Sequence, residues 1–574
     1  MNPERIERIA LSLTSMPSVT NAEGETRFAF FLRDLLAEWP YFRAHPDRLR
    51  LERTVEDGNE RYILFAFAGG MPADKGAVRP ALEGGAKPRS IDSSGADSAR
   101  ANAVILTGHY DVVSAADYGS LESYAFDPKA LRPRLVSELR ERASMAKARG
   151  ESLAATELRA LRDLESGDFI PGRGLLDMKS GLAAGLALLE ERTEALRDEK
   201  GALVFLAVPD EEGSSHGMLS AVRVLPELLA EWGLKAVAAI NLDAAVDQGD
   251  GAAGRAIFAG SIGKLHPFVL FVGKACHAGA PFDGVNPALL AASYAQRLEC
   301  TADIFEATAD EPPPPPTILY YRDLRDHYDV TTPGAVFVSA NLLSHERGPA
   351  DALEAVSRIA SEAMDSSLSL LRERAEAFSA ASGIALAVPD RRPRVVPWAE
   401  LERMARAADP TAFDSAKAEA AASADAIPAL ASLCAKAVAI AGLEGPAAVV
   451  GLAPPYYPRV ALEAEKDARL LAILAREAEA IGLELGQSVC VRPFFPGISD
   501  MSFLNPSDAP EARLLASQAC PLGLDPLPAG FSCPVVNIGP WGREYHQRLE
   551  RVHADYAFRV LPELLRRVTR RILE

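Results

Sequence analysis

Apolar positions along the first 240 residues alternate between two periods. Arg5 to Ala37 carries them at helical spacing and predicts one or two helices, broken near Pro17. Arg61 to Ala68 predicts a strand. Three more short runs, Ala103 to Leu106, Leu203 to Val208 and Val237 to Leu242, contain β-branched residues and end at polar ones. Helical stretches separate them: Leu131 to Leu164 (two helices), Leu182 to Arg197, and Met218 to Trp232. Strands alternating with helices predict an α/β fold, a mostly parallel sheet flanked by helices on both faces. Pro72 to Asn102 is rich in Gly, Ala, Ser and charge, and predicts a surface insertion or loop.

The pattern changes after Ile257. Leu265 to Val272 reads as a strand and Asn286 to Glu299 as a helix. Thr317 to Tyr321 and Ala335 to Ala340 read as strands, and Ala350 to Ala381 as a long helix. This βαββα order predicts a small α+β domain, with Glu311 and the five prolines after it in an exposed loop. From Pro397 the α/β pattern resumes, with strand centres at Val449, Val489 to Val491 and Val535 to Ile538. The expected organisation is therefore 1–260 and 386–574 as two parts of one large domain, with 261–385 inserted between them.

Composition narrows the function classes. A chain of 574 residues exceeds one hydrophobic core. Its net charge of −18 repels nucleic acid and anionic membranes, so neither is an expected partner. The six cysteines form no Cys-x-x-Cys pair, and the N-terminus is amphipathic with charges throughout. The apolar runs are short and interrupted. A cytoplasmic protein with reduced thiols is expected.

The chemistry lies where the predicted strands end. One strand leads into His109-Tyr110-Asp111, another into Asp210-Glu211-Glu212-Gly213, and a third into Asp243. In an open parallel sheet, ligands bind beyond the carboxyl ends of the strands. The turn Gly172-Arg-Gly174-Leu-Leu-Asp177 precedes a helix, and Val535 to Gly539 precedes His546. Crowding carboxylates into one crevice is costly unless cations neutralise them, and zinc accepts both imidazole nitrogen and carboxylate oxygen. Asp111 can fix the tautomer of a ligating His109. Of the adjacent pair Glu211 and Glu212, one can bind metal while the other moves protons. Each element also has a plainer explanation: His-x-Asp as a hydrogen-bonded pair, Asp-Glu-Glu as a solvated helix start, Asp177 as a helix cap. Cys276-His277 reads as a thiol beside an unrelated imidazole. His45, His266, His327 and His345 lack acidic strand-end neighbours and read as structural, and His216 reads as support for the acidic loop. It is their co-occurrence in one strand-end pattern that favours a metal site.

The order of motifs resembles the di-zinc superfamily of aminoacylases, carboxypeptidase G and acetylornithine deacetylase, over nearly the whole chain. Leu11 to Thr20, Gly-His109-Tyr-Asp111, Gly-Arg-Gly-x-x-Asp177-Met-Lys, Glu211-Glu212-Gly and Asp243 follow in that family's order. So do His277-Ala-Gly279 with Gly284-x-Asn286-Pro, Gly497-Ile-Ser-Asp500, and His546-x-x-x-Glu550. The resemblance implies a zinc-peptidase-like catalytic domain with an inserted lid or dimerisation domain. It implies two divalent metal ions, zinc first with cobalt or manganese as alternatives. His109 and Asp243 would bind one ion, Glu212 and His546 the other, and Asp177 would bridge. Glu211 would be the general base, Asp111 would orient His109, and His277 would polarise the scissile carbonyl, in many dimeric relatives from the partner subunit. The implied substrate is a small molecule or short peptide cleaved at an amide bond, and the likeness to an arginine-utilisation branch points to an arginine-related one. A dipeptidase or exopeptidase, and a binding protein on the same scaffold, are the alternative readings. Two departures stand out. The stretch between His109 and Asp177 is long, and Ser502 stands where relatives carry an Arg that holds a substrate carboxylate, leaving Arg543 and Arg548 as candidates. His553 competes with His546, and the His-x-x-x-Glu spacing favours His546.

Overall fold

The computed structural model describes the chain except residues 56, 70–99, 195–199, 303, 305–311, 326, 387–391, 424, 496, 508 and 524–530. The expected insertion over 72–102 lies almost wholly outside the described residues, as does Glu311 of the proline loop.

The helices start where the chain supplies caps. Asn2 accepts hydrogen bonds from the Glu4 and Arg5 N–H groups and opens Pro3–Thr14; Pro17 lies in the break before the next helix, Glu23–Ala37. The expected helical stretch over 131–164 is two helices, Pro128–Ala148 and Ala155–Ser166, the second ended by Gly167 at φ 91°.

The main sheet is eight-stranded among the described residues. Its middle is parallel: Ala202–Val208, Ala101–His109, Leu234–Asn241 and Val535–Asn537 lie side by side in that order. One flank is antiparallel, with Tyr62–Gly69 beside Ala202–Val208 and Leu49–Arg53 outermost. At the other end Ala256–Phe258 runs antiparallel to Val535–Asn537 and carries Cys490–Arg492 parallel at the edge. The sheet is thus mixed, parallel where the helical crossovers are and antiparallel where the chain turns back. The central strands are buried on both faces, as their continuous apolar runs require. On one face Phe28, Leu182, Leu186, Leu561 and Leu565 pack against them; on the other Met218, Val222, Leu225 and Leu229 do.

A second sheet begins at Gly263–Leu265. Pro267–Val272 and Ala335–Ser344 form its centre, and Thr317–Asp323 pairs with the latter. The helices Pro287–Leu298 and Pro349–Ser382 cover one face, as the βαββα reading expects. The expected boundary at 385 does not coincide with the edge of this sheet. Ala447–Leu452 pairs antiparallel with Pro267–Val272, Leu270 opposite Val449, and Arg394–Pro397 adds beyond it. Three helices, Trp398–Ala408, Pro410–Ala421 and Ala426–Ala441, bury Leu401, Phe413 and Leu433 against the second face. The reason is physical: the apolar run around Val449 dictates a strand, but its partner, Pro267–Val272, lies far away in the chain and leaves no local mark on it. No described helix is long and apolar enough to cross a membrane.

Candidate metal centre

The carboxyl ends of the parallel strands carry the polar residues. His109 is the last residue of Ala101–His109, Glu211 and Glu212 follow Ala202–Val208, and Asp243 follows Leu234–Asn241. Asp177 sits in the turn before the helix Ser180–Glu194. His546 lies between Trp541–Arg543 and Arg551–His553, two strands of a separate small sheet.

These residues converge. His109 Nε2 is 3.0 Å from Asp177 Oδ1 and 3.9 Å from Asp243 Oδ1. His546 Nε2 is 3.1 Å from Asp177 Oδ2 and 2.8 Å from Glu212 Oε1. Asp177 therefore turns one oxygen to each imidazole. Two triads, His109–Asp177–Asp243 and Asp177–Glu212–His546, each bring their donor atoms within 4.8 Å of one another and share Asp177. Glu211 Oε2 stands 3.9 Å from His109 Nε2.

Asp111 organises the centre through both its backbone and its side chain. The His109 Nδ1 hydrogen bond goes to the Asp111 carbonyl at 3.0 Å, with the carboxylate farther off at 3.6 Å. That carboxylate instead accepts the Glu211 N–H (3.1 Å), the Glu212 N–H (3.2 Å) and the Thr20 hydroxyl (3.0 Å). One residue thus ties the imidazole to the acidic turn. The turn is held from behind as well. Asp210 adopts φ 67°, a left-handed conformation that costs a non-glycine residue of order 1 kcal/mol. Its carboxylate meets Arg61 at 2.9 Å and His216 at 2.7 Å, and Arg61 also reaches Glu25 and Asp57 in a buried network. Beneath Asp177, Glu550 Oε1 accepts the Leu176 N–H (3.3 Å), while its other oxygen pairs with Arg173 Nη1 at 2.7 Å.

The electrostatics fit divalent cations. Burial, with Asp177 adding to it, pushes Asp243 up to about 7. Burial also raises Glu211 well above the carboxylate range, against the pull of His109. Burial works against charge on His109, but hydrogen bonds to Asp111 and Asp177 outweigh it and hold this imidazole well above its ordinary value. Acids that raise one another's pKa opposite imidazoles whose pKa those acids raise are a donor set whose charge divalent cations would balance.

The remaining sequence candidates fall elsewhere. His277 is exposed beyond the strand Pro267–Val272 of the second sheet, bridged to Thr331, and does not line the cleft. His553 packs its ring against Phe169 and Trp541 and accepts the Tyr556 N–H, away from the donors. Arg543 and Arg551 both pair with Asp163 of the long stretch after His109, and Arg548 pairs with Glu138 in the same stretch. Neither Arg543 nor Arg548 lines the cleft. His266 bonds Ser339 Oγ and His345 packs on Phe494, as structural residues do. All six cysteines are unbridged. Sequence reasoning missed the Arg61 network and Lys264, which enters the cleft from the second sheet; no local spacing signals either. Glu550 stood in the His-x-x-x-Glu motif, but its carboxylate supports Asp177.

The chain is also similar to known proteins. The model of peptidase family M20/M25/M40 matches residues 157–517, which include Asp177, Glu211, Glu212 and Asp243. The protein YqjN of Bacillus subtilis is 29% identical over 577 residues, covering 96% of this chain and 94% of its own length. Protein RocB of the same organism is 26% identical over 592 residues, covering 100% of this chain and 96% of its own. Among solved structures, a tripeptidase from Staphylococcus aureus is similar at a TM-score of 0.49 and 14% identity, covering 100% of this chain and 99% of that one. With the motifs in order and the family model spanning more than half its length, the chain belongs to peptidase family M20/M25/M40 and is a hydrolase of the metallopeptidase kind.

Proposed function

We propose that the protein hydrolyses an amide bond, peptide or N-acyl, in a small amino-acid-derived substrate. The observation that carries this is Asp177, whose two oxygens face two imidazoles at 3.0 and 3.1 Å, the arrangement of a bridging carboxylate. His109, Asp177 and Asp243 would hold one divalent ion, and Asp177, Glu212 and His546 a second, zinc first with cobalt or manganese as alternatives. When bound, the ions supply Lewis acidity toward a carbonyl oxygen and lower the pKa of water.

The chain's own groups do the rest. Glu211 lines the cleft and forms a third donor group with His109 and Glu212, but both of these already serve the triads that share Asp177, which leaves its carboxylate to take a proton from the attacking water. It then delivers that proton to the leaving nitrogen as the C–N bond breaks. Asp111 keeps the His109 ring and the acidic turn in register throughout. His277 would polarise the carbonyl only when domain closure or a second copy brings it to the cleft. The open edge strand Thr317–Asp323 supports a homodimer through this domain: it exposes Leu319 and Tyr321, with Tyr328 and Val330 beside the Thr331 bridge to His277.

Replacing Glu211 by Gln should abolish turnover while metal content stays near that of the wild type. The assay is a panel of acyl-amino acids and dipeptides, arginine derivatives included, with zinc, cobalt or manganese added. Full activity in E211Q removes the assigned base. A chain that holds no divalent metal and gains no activity from any of the three refutes the whole reading.

A further inference from the structure

Of the five donors in the two triads that share Asp177, His546 is the exposed one. Its side chain is 42% open, against 2% to 10% for the other four. Packing around the ring therefore does not fix it. The backbone that carries it is strained as well: Glu544 and His546 adopt φ 57° and 61°, left-handed conformations that non-glycine residues keep only when their surroundings impose them. The turn must be held from outside.

Both ends of that turn are tied to one carboxylate. Arg543 is the last residue of the strand before it, and Arg551 the first of the strand after it. Asp163 Oδ2 accepts Arg543 Nη1 at 2.6 Å, Arg551 Nε at 2.9 Å and Arg551 Nη2 at 2.7 Å. Arg551 is fully buried, and its Nη1 reaches into the turn, to Glu544 Oε2 at 2.9 Å and the Leu549 carbonyl at 2.8 Å. Asp163 and Glu544 thus answer the two guanidinium charges. Without Asp163 two buried cations share one acid, and the root of the turn loses its tie.

Asp163 belongs to the helix Ala155–Ser166, within the long stretch between His109 and Asp177. That stretch braces the turn at two further points. Glu138 pairs with Arg548 at 2.6 Å, and Leu549 packs on the small core of Leu131, Leu135, Leu139 and Leu164. The helix is itself fixed to its neighbour: Arg132 donates to the Leu164 carbonyl at 2.6 Å, and Arg142 pairs with Glu157 at 2.7 Å. No residue of either helix lines the cleft.

We propose that Asp163 is a positioning residue for the second metal site. It pins Arg543 and Arg551, and through them aims His546 at Asp177 and Glu212. The inserted helices then set how tightly the second ion is held, without reaching it. This rests on the two-ion reading of the centre and assigns the inserted stretch a role in it.

The test titrates the metal-free protein with cobalt(II) alone, read by calorimetry and visible absorption. The wild type should bind in two steps, and His546→Ala identifies the step of the second ion by weakening it. Asp163→Asn keeps the size of the side chain and removes its charge. It should weaken that same step by about 10-fold to 100-fold and the other by less than about threefold. In the His546→Ala background, Asp163→Asn should change the remaining binding by less than about threefold, because the group it acts through is gone. Glu165→Gln, on the same helix but paired with the exposed Arg140, should leave both steps unchanged. If Asp163→Asn does not fold, Glu138→Gln cuts only the half-exposed tie to Arg548 and should weaken the second ion's step by about twofold to fivefold. Equal weakening of both steps overturns the inference and leaves the two-ion reading standing. So does an Asp163 effect that persists in the His546→Ala background, or a folded Asp163→Asn that binds both ions as the wild type does. Where Glu138→Gln stands in, its unchanged binding has the same force. A wild type that binds fewer than two cobalt ions overturns the two-ion reading and the inference with it.

Discussion

Arg173→Met isolates the support beneath Asp177. Arg173 and Glu550 have side chains only 1% exposed, and they meet at 2.7 Å. The guanidinium also holds Asp117 at 2.7 Å. Removing it strands the Glu550 carboxylate in the core, which costs about 3–5 kcal/mol. At this domain size that is a fall of roughly 6–20 °C in Tm, read by scanning calorimetry. Replacing both partners by Met removes the stranded charge and leaves mainly the Leu176 and Asp177 N–H groups that Glu550 accepted from, worth about 1–3 kcal/mol. The double variant should therefore be more stable than Arg173→Met alone. Glu550 positions the turn that carries Asp177, so Glu550→Met should also weaken divalent-metal binding by about 10-fold to 100-fold in a chelator competition. An Arg173→Met protein within about 1 kcal/mol of wild type, or a double variant whose cost is the sum of the singles, refutes the coupling.

Other outcomes follow from single contacts. His546→Ala should lower divalent-metal content measured by elemental analysis, whereas His553→Ala should leave it unchanged, because His553 lies against Phe169 and Trp541. Gly539→Ala should cost activity and metal together, since a Cβ there would stand 1.8 Å from the Asp243 carbonyl oxygen, and only backbone movement relieves that clash. Glu25 gives a pH signature. Burial raises its pKa to about 7, Asp111 adding and Arg61 opposing, so the folded chain binds this proton more tightly than the unfolded one. Its contribution to stability is complete below about pH 4.5 and is lost as pH rises to about 7, a change of about 3 kcal/mol. Tm measured from pH 4.5 to 8 should fall less steeply in Glu25→Gln than in the wild type; equal slopes would contradict the shift.

Local pattern was enough for much of this molecule. The apolar runs ending at His109, Val208 and Leu242 had the length, composition and helical spacers of buried parallel strands, and they pair in that way. Because side chains just past such strands share one edge of the sheet, the acids and imidazoles there could be read as one cluster before any geometry was known. The helices over 3–37 and 128–166 were legible for a related reason: caps and periodicity act within a few residues of themselves.

What sequence could not decide depends on contacts between distant segments. Whether Val449 joins one sheet or the other depends on its pairing with Leu270, and nothing local records that choice. The selection of His546 over His553 turned on which ring the small sheet directs toward Asp177. That the His109 Nδ1 bond goes to the Asp111 backbone, leaving the carboxylate for the acidic turn, depends on ångström-scale placement of two loops. Lys264 lines the cleft together with Tyr457 and Phe495, residues that lie far from it along the chain. The residue types, and hence the kind of chemistry, were determined by the sequence alone. Which of them meet, and so which ion or substrate group each one serves, was decided by tertiary packing, because hydrogen bonds and charges act over a few ångströms in space whatever their separation along the chain.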